Sequence, residues 1–166
     1  PLDHYSSVET LKTAVLSHWT EGPEILILCF GAIDNALLMA DSQDMLSKTI
    51  NEHLTLKLQL CYAFVDKMYR NQFGRIVCIG SISSQFVKRG QVSYSAATAG
   101  LEGMTRALAL EVAGRGVTVN LIRAGLIGAN SLTAHQTNLA ASGRDLKKMI
   151  PVGRVGTAAD ISRTAL

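Results

Sequence analysis

Apolar residues recur along this chain in two alternating rhythms. Val8, Leu11, Val15 and Trp19 share one stripe at helical spacing and predict a helix from Val8 to Trp19. Ile25 to Phe30 is instead a continuous apolar run closed by Gly31, the pattern of a strand buried on both faces. Asp41 or Ser42 is placed to cap a long helix reaching about Arg70. Met45, Leu46, Ile50, Leu54, Leu58, Cys61, Phe64, Val65 and Met68 form its apolar stripe. "GRIVCIGS", Gly74 to Ser81, predicts a second buried strand, and Ser81 to Val92 a polar loop. Tyr94 to Ala113 reads as a third long helix, ended by the glycines of "GRG" at Gly114 to Gly116. "VTVNLIRAG", Val117 to Gly125, predicts a third strand. A small-residue loop, a polar helix from Leu132 to Lys148, and a last helix opened by the capping box "TAAD" at Thr157 to Asp160 complete the pattern.

Helix, strand, helix, strand, helix, strand is the order of a parallel α/β sheet with helices on both faces. No linker, internal repeat or low-complexity segment interrupts it, so residues 1–166 read as a single domain. Sites in such sheets gather at the carboxyl ends of the strands. Three loops therefore draw attention: Gly31 to Asp41, Ser81 to Ser93, and Ala124 to Ala134.

Composition narrows the functional classes. The chain is 48% hydrophobic and 17% charged, a globular rather than disordered balance. Its net charge of +3 is mild and scattered, which argues against a nucleic-acid partner. No apolar run approaches the roughly 20 residues of a membrane span, and the first ten residues do not resemble a signal peptide. Cys29, Cys61 and Cys78 lack C-x-x-C spacing and each sits in an apolar stretch, so they read as buried reduced thiols. His4, His18, His53 and His135 have no metal-ligand spacing, and no metal is expected. The chain begins with proline and ends inside an amphipathic pattern, so both ends read as cut.

The run "GRIVCIGS…GQVSYSAATAGLEGMTRALALEVAGRGVTVNLIRAGLIG", Gly74 to Gly128, resembles the short-chain dehydrogenase/reductase family, and within it the 3-oxoacyl-acyl-carrier-protein reductases. "IPVGRVG", Ile150 to Gly156, is a second match. The resemblance implies a Rossmann-like, doubly wound parallel sheet, here partial, holding central and C-terminal strands with their helices. It implies hydride transfer from NADP or NAD cofactors. It also implies four site residues: a tyrosine proton donor, a serine on the substrate carbonyl, a lysine four residues after the tyrosine, and an asparagine on the long central helix. Ser81 and Tyr94 match the first two, thirteen residues apart. Thr98 stands at the lysine position and His53 at the asparagine position, with Asn51 two residues away.

Other family marks are eroded. The "NNAG" loop is here "LCFG", leaving Gly31. The Pro-Gly-x-Ile-x-Thr loop is here "AGLIGA", where Gly125 and Ile127 persist but Ala124 and Ala129 replace proline and threonine. Gly31, Gly125 and Ile127 are the cofactor-binding candidates that remain. The glycine-rich pyrophosphate loop does not occur in the sequence; by the resemblance its residues would precede Pro1.

A phenol titrates near pH ~10, and a lysine one turn away would lower that value by direct charge. Threonine carries no charge. The sequence therefore favours a reductase-like subunit with impaired catalysis that acts as an assembly partner. The resemblance implies homo- or hetero-oligomer contacts through helices 42–70 and 94–113, whose Ala96, Ala97, Ala99, Gly100 and Gly103 suit close helix contact. An acyl carrier protein near a basic edge of Lys67, Arg70, Arg75 and Arg115 is a further expected partner. The alternatives are an active NAD(P)H-dependent 3-oxoacyl-thioester reductase whose glycine loop lies outside this chain, and an acyl-binding module. A cytoplasmic location, or the mitochondrial matrix in a eukaryote, goes with any of them.

Overall fold

The computed structural model describes residues 5–32, 35–128 and 150–166. The expected polar helix from Leu132 to Lys148, together with Ala129, lies outside the described residues. The chain packs as two compact units, Pro1–Arg123 and Ala124–Leu166.

The first unit is a layered α/β structure. Helix α1, Tyr5–His18, precedes strand β1, Ile25–Leu28. Helix α2, Gln43–Ile50, runs through a π turn, Asn51–Thr55, into α3, Leu56–Arg70. Strand β2, Gly74–Ser81, leads through a polar loop to α4, Val92–Val112, and then to β3, Val117–Ala124. The strands form a parallel sheet in the order β1-β2-β3, with Ile25 opposite Arg75 and Leu28 opposite Cys78. Ser42 caps α2 by accepting the Met45 N–H at 3.1 Å. Gly116, at φ +69°, turns the chain from the end of α4 into β3.

The core lies between α1, α3, α4 and the sheet. Val8, Leu56, Leu60, Phe64, Met68, Ile76, Leu101 and Val117 are all buried there. Cys61 and Cys78 belong to the same cluster, and the neighbouring Cys78 thiol, with burial, pushes the Cys61 thiol up. Close approach uses glycine at two points. A Cβ on Gly74 would lie 2.7 Å from Met68 Cβ, and one on Gly100 would lie 2.9 Å from Leu54 Cδ2. Gly100 and the buried Ala97 of the small-residue stretch therefore pack inside the chain, whereas Gly103 faces open space.

Four expectations are corrected. Trp19 follows α1 and is 64% exposed, because the helix stops at His18. Strand β1 is an edge strand with Ile25 and Ile27 exposed, because β2 is its neighbour on one side and no described strand pairs with the other. Cys29 is exposed, since the strand ends at Leu28 and the chain turns outward there. The helix from 42 to 70 is not uniform. The π turn adds a residue to one turn and rotates the following stripe, so Leu58 is exposed while Lys57 is buried.

In the second unit, Ile127 and Gly156 form a parallel bridge, with Gly156 N–H on Leu126 O at 2.9 Å. Helix α5, Ala158–Ala165, opens on the expected capping box: Thr157 N–H donates to Asp160 Oδ2 at 2.7 Å.

Candidate functional site

Strand β2 delivers Ser81 at its carboxyl end, and α4 begins eleven positions later at Val92, placing Tyr94 in its first turn. The Ser81 hydroxyl lies near enough to the Tyr94 phenol to favour its ionised form. Ser81 Oγ also accepts the Ser83 N–H at 3.1 Å, which fixes its rotamer. Tyr94 is buried, and burial raises its phenol above the ordinary value while the Ser81 hydroxyl pulls it partly back.

His53 meets this pair from the π turn. It is buried, its ring stands edge-on to the Tyr94 ring with centroids 4.8 Å apart, and Nε2–H donates to Ala32 O at 2.8 Å. Glu52, the preceding residue, accepts the Ala32 N–H at 3.1 Å. The two π-turn side chains thus grip both sides of the loop after β1. Gly31 makes this possible. It sits at φ +116°, and a Cβ there would lie 2.5 Å from His53 Cε1. Gly31, a cofactor-binding candidate of the sequence, makes room for the imidazole.

Thr98 lies one turn beyond Tyr94 and is buried. Its hydroxyl bonds the carbonyls of Tyr94 at 2.9 Å and Ser95 at 3.2 Å, the usual refuge of a threonine inside a helix. The structure thus brings Ser81, Tyr94, His53 and Gly31 together and turns Thr98 back into its own helix. Gly125 and Ile127 belong to the second compact unit, where Ile127 pairs with Gly156.

Two functional features escape the sequence pattern. Lys57, one turn after His53, is fully buried. Its ammonium donates to Ile79 O at 3.0 Å and lies 5.3 Å from the Phe30 ring centroid. Burial lowers its titration below the ordinary lysine value. The second feature is a charge cluster behind the site. Arg123 donates to both carboxylate oxygens of Glu102 at 2.7 Å, Ser84 donates to Oε1, and Arg106 stands 3.7 Å away. Arg123 first, then Ser84, hold the Glu102 carboxyl at about 2. A helix register that marks Glu102 as facing β3 is the signal that could have found this pair.

The loop between Ser81 and Tyr94 is fastened at its base. Ser83 donates to Gln91 Oε1 at 3.2 Å, and Gln91 donates to Asn35 Oδ1 at 2.9 Å. Among the described residues no group of three or more His, Cys, Asp or Glu side chains is placed to hold a metal ion, and no helix is long and apolar enough to cross a membrane.

A strand-end serine beside a tyrosine in the first turn of the next helix is the pairing that the family resemblance implies. A family model described as enoyl-(acyl carrier protein) reductase matches residues 3–166. The 3-oxoacyl-acyl-carrier-protein reductase FabG of Buchnera aphidicola is 36% identical over 86% of this chain and 57% of its own length. The MabA reductase of Mycobacterium avium is 33% identical over 93% of this chain and 59% of its own, and FabG of Haemophilus influenzae 34% over 95% and 63%. The chain thus spans about six-tenths of the length of these curated relatives. With the family model covering nearly every residue, the chain belongs to the short-chain dehydrogenase/reductase family.

Proposed function

We propose that this chain is a 3-oxoacyl-thioester reductase-like subunit with impaired catalysis, acting chiefly as an assembly partner. The observation that carries it is the fate of position 98. Thr98 gives its hydroxyl to its own helix, so nothing at that position brings charge to the Tyr94 phenol, which burial holds above its ordinary value. Positioned acid–base catalysis is worth roughly 10²–10⁴ in rate, and a phenol reluctant to ionise forfeits part of it.

Family membership implies a nicotinamide cofactor, NADP or NAD. The described residues of the first unit do not fit it. The space over Gly31 is filled by the His53 ring, and Thr98 offers no hydroxyl or ammonium to a ribose. The His53 ring, packed edge-on against the Tyr94 ring, supports a proton-relay role at the asparagine position.

Exposed apolar residues support the assembly role. Leu58 and Tyr62 are exposed one turn apart on α3, and Leu110 is 83% exposed on α4, the helices that the family resemblance assigns to subunit contact. The basic edge is largely engaged within the chain, which weighs against carrier-protein docking there. Lys67 donates to Thr20 O at 2.9 Å, Arg70 pairs with Asp66, Arg75 donates to Gly116 O at 2.9 Å, and Arg115 covers the Tyr69 ring.

Calorimetric titration with NADPH and NADH, run beside light scattering, tests both halves. Weak or absent nucleotide binding with a dimer or larger assembly is expected. Tight nucleotide binding overturns the impairment, and a monomer overturns the assembly role.

A further inference from the structure

We propose that Lys57 is an electrostatic positioning residue of this site: a cation laid from α3 across the carboxyl ends of β1 and β2 that favours negative charge at the Tyr94 oxygen. The inference rests on reading Ser81 and Tyr94 as the site. Four observations support it.

The ammonium donates to the carbonyl of Ile79, two residues before Ser81 on β2, and lies over Phe30, just past the end of β1. Its own helix presents His53 one turn earlier, and that ring touches Tyr94. Its exposure is 2%, so the charge is buried inside the fold rather than held at the surface. Among the described residues no carboxylate pairs with it. The titratable groups facing it from the neighbouring elements are the thiols of Cys78 on β2 and Cys29 after β1.

A buried lysine without a carboxylate is unfavourable for folding, and hydrophobic packing alone would favour an aliphatic residue. A single cation in a region of low dielectric acts over a longer range than one in water. An anion forming at the Tyr94–Ser81 pair would find Lys57 as its buried counter-charge. The π turn is what permits this, since it rotates Lys57 from the exposed side of the helix to the buried one. Position 98, emptied of charge on α4, thus has a partial substitute from another helix.

The phenol must ionise while Lys57 still carries its proton for the coupling to be read. Growing the protein on a trifluorinated tyrosine, which ionises near neutral pH, brings the two titrations together. Fluorine NMR, with the signal of residue 94 assigned by Tyr94→Phe, then follows this one phenol. Lys57→Met is expected to reduce its ionisation constant at least threefold, and Lys57→Arg to restore most of it. An unchanged constant in a Lys57→Met protein with native circular dichroism overturns the proposal. Should Lys57→Met not fold, the reciprocal measurement decides. Linkage requires an ionised phenol to hold the Lys57 proton more tightly. The Lys57 Cε carbon resonance must then titrate at higher pH in fluorotyrosine protein than in ordinary protein. Equal titrations overturn it. Neither readout requires turnover, so an inactive chain with coupled titrations refutes only activity, and an active chain with independent titrations refutes only the role of Lys57.

Discussion

Replacing Gly31 by alanine should cost this protein more than its single methyl group suggests. At φ +116° the backbone lies where side chains are rarely found, and that strain is worth about 1–3 kcal/mol. The new Cβ would also stand 2.5 Å from Cε1, 2.8 Å from Nδ1 and 2.9 Å from Nε2 of His53. The ring has little room to retreat. Its Nε2 is held by Ala32 O at 2.8 Å and its ring packs edge-on against Tyr94. Overpacking of this kind costs about 1–3 kcal/mol, and loss of the Ala32 bond about 1 more. The total, about 3–7 kcal/mol, is a large share of a typical domain's stability. Urea unfolding followed by circular dichroism gives the number, provided the slope is unchanged. His53→Ala removes the clash but not the backbone strain. The double variant should therefore be less destabilised than the two single changes together, by about 1–3 kcal/mol. A Gly31→Ala protein within about 1 kcal/mol of the parent, or strict additivity with His53→Ala, would refute the view that Gly31 exists to admit the imidazole.

Further outcomes follow from the charged groups. Glu102 is held at about 2 by Arg123 and Ser84, below the ordinary carboxylate value, so its contribution is present above pH ~4.5 and fades as pH falls toward 2. Glu102→Gln should lower stability near neutral pH by about 1 kcal/mol, because Arg123 is partly screened by solvent, and flatten the decline between pH 5 and 2 in acid unfolding curves. Lys57 titrates below its ordinary value in the fold, so the unfolded chain binds that proton more readily and stability drops as pH descends from about 10.5. Lys57→Met should remove that slope, seen as a thermal midpoint less dependent on pH between 7 and 10.

The pattern of apolar residues located strand β2 to the residue, along with the Ser42 cap, the Thr157 capping box and the Gly116 turn. Each is a local event: a side chain reaching a nearby N–H, or a glycine taking a conformation that others avoid. The Ser81–Tyr94 pairing was legible through the family motif. The grip of Glu52 and His53 on Ala32 was not, because it depends on a π turn, and helical periodicity assumes 3.6 residues per turn throughout. The same assumption hid Lys57, which a regular helix places on the side that Leu58 occupies here. Exposure of Ile25 and Ile27 escaped for another reason. A run of aliphatic residues predicts a strand able to be buried on both faces, but which neighbours cover it is decided elsewhere in the fold.

Turnover at position 98 bears most directly on the central claim, that Ser81 and Tyr94 form a reductase site lacking its charge. Reduction of an acetoacetyl thioester is measured with NADPH and with NADH for the full chain and for Thr98→Lys. The account predicts that the parent falls at least a hundredfold below the roughly 10 s⁻¹ typical of enzymes, and that Thr98→Lys is at least tenfold faster than the parent with either nucleotide that supports reduction. A parent chain reducing the thioester at ordinary enzymatic rates, and slowed rather than helped by Thr98→Lys, would contradict it.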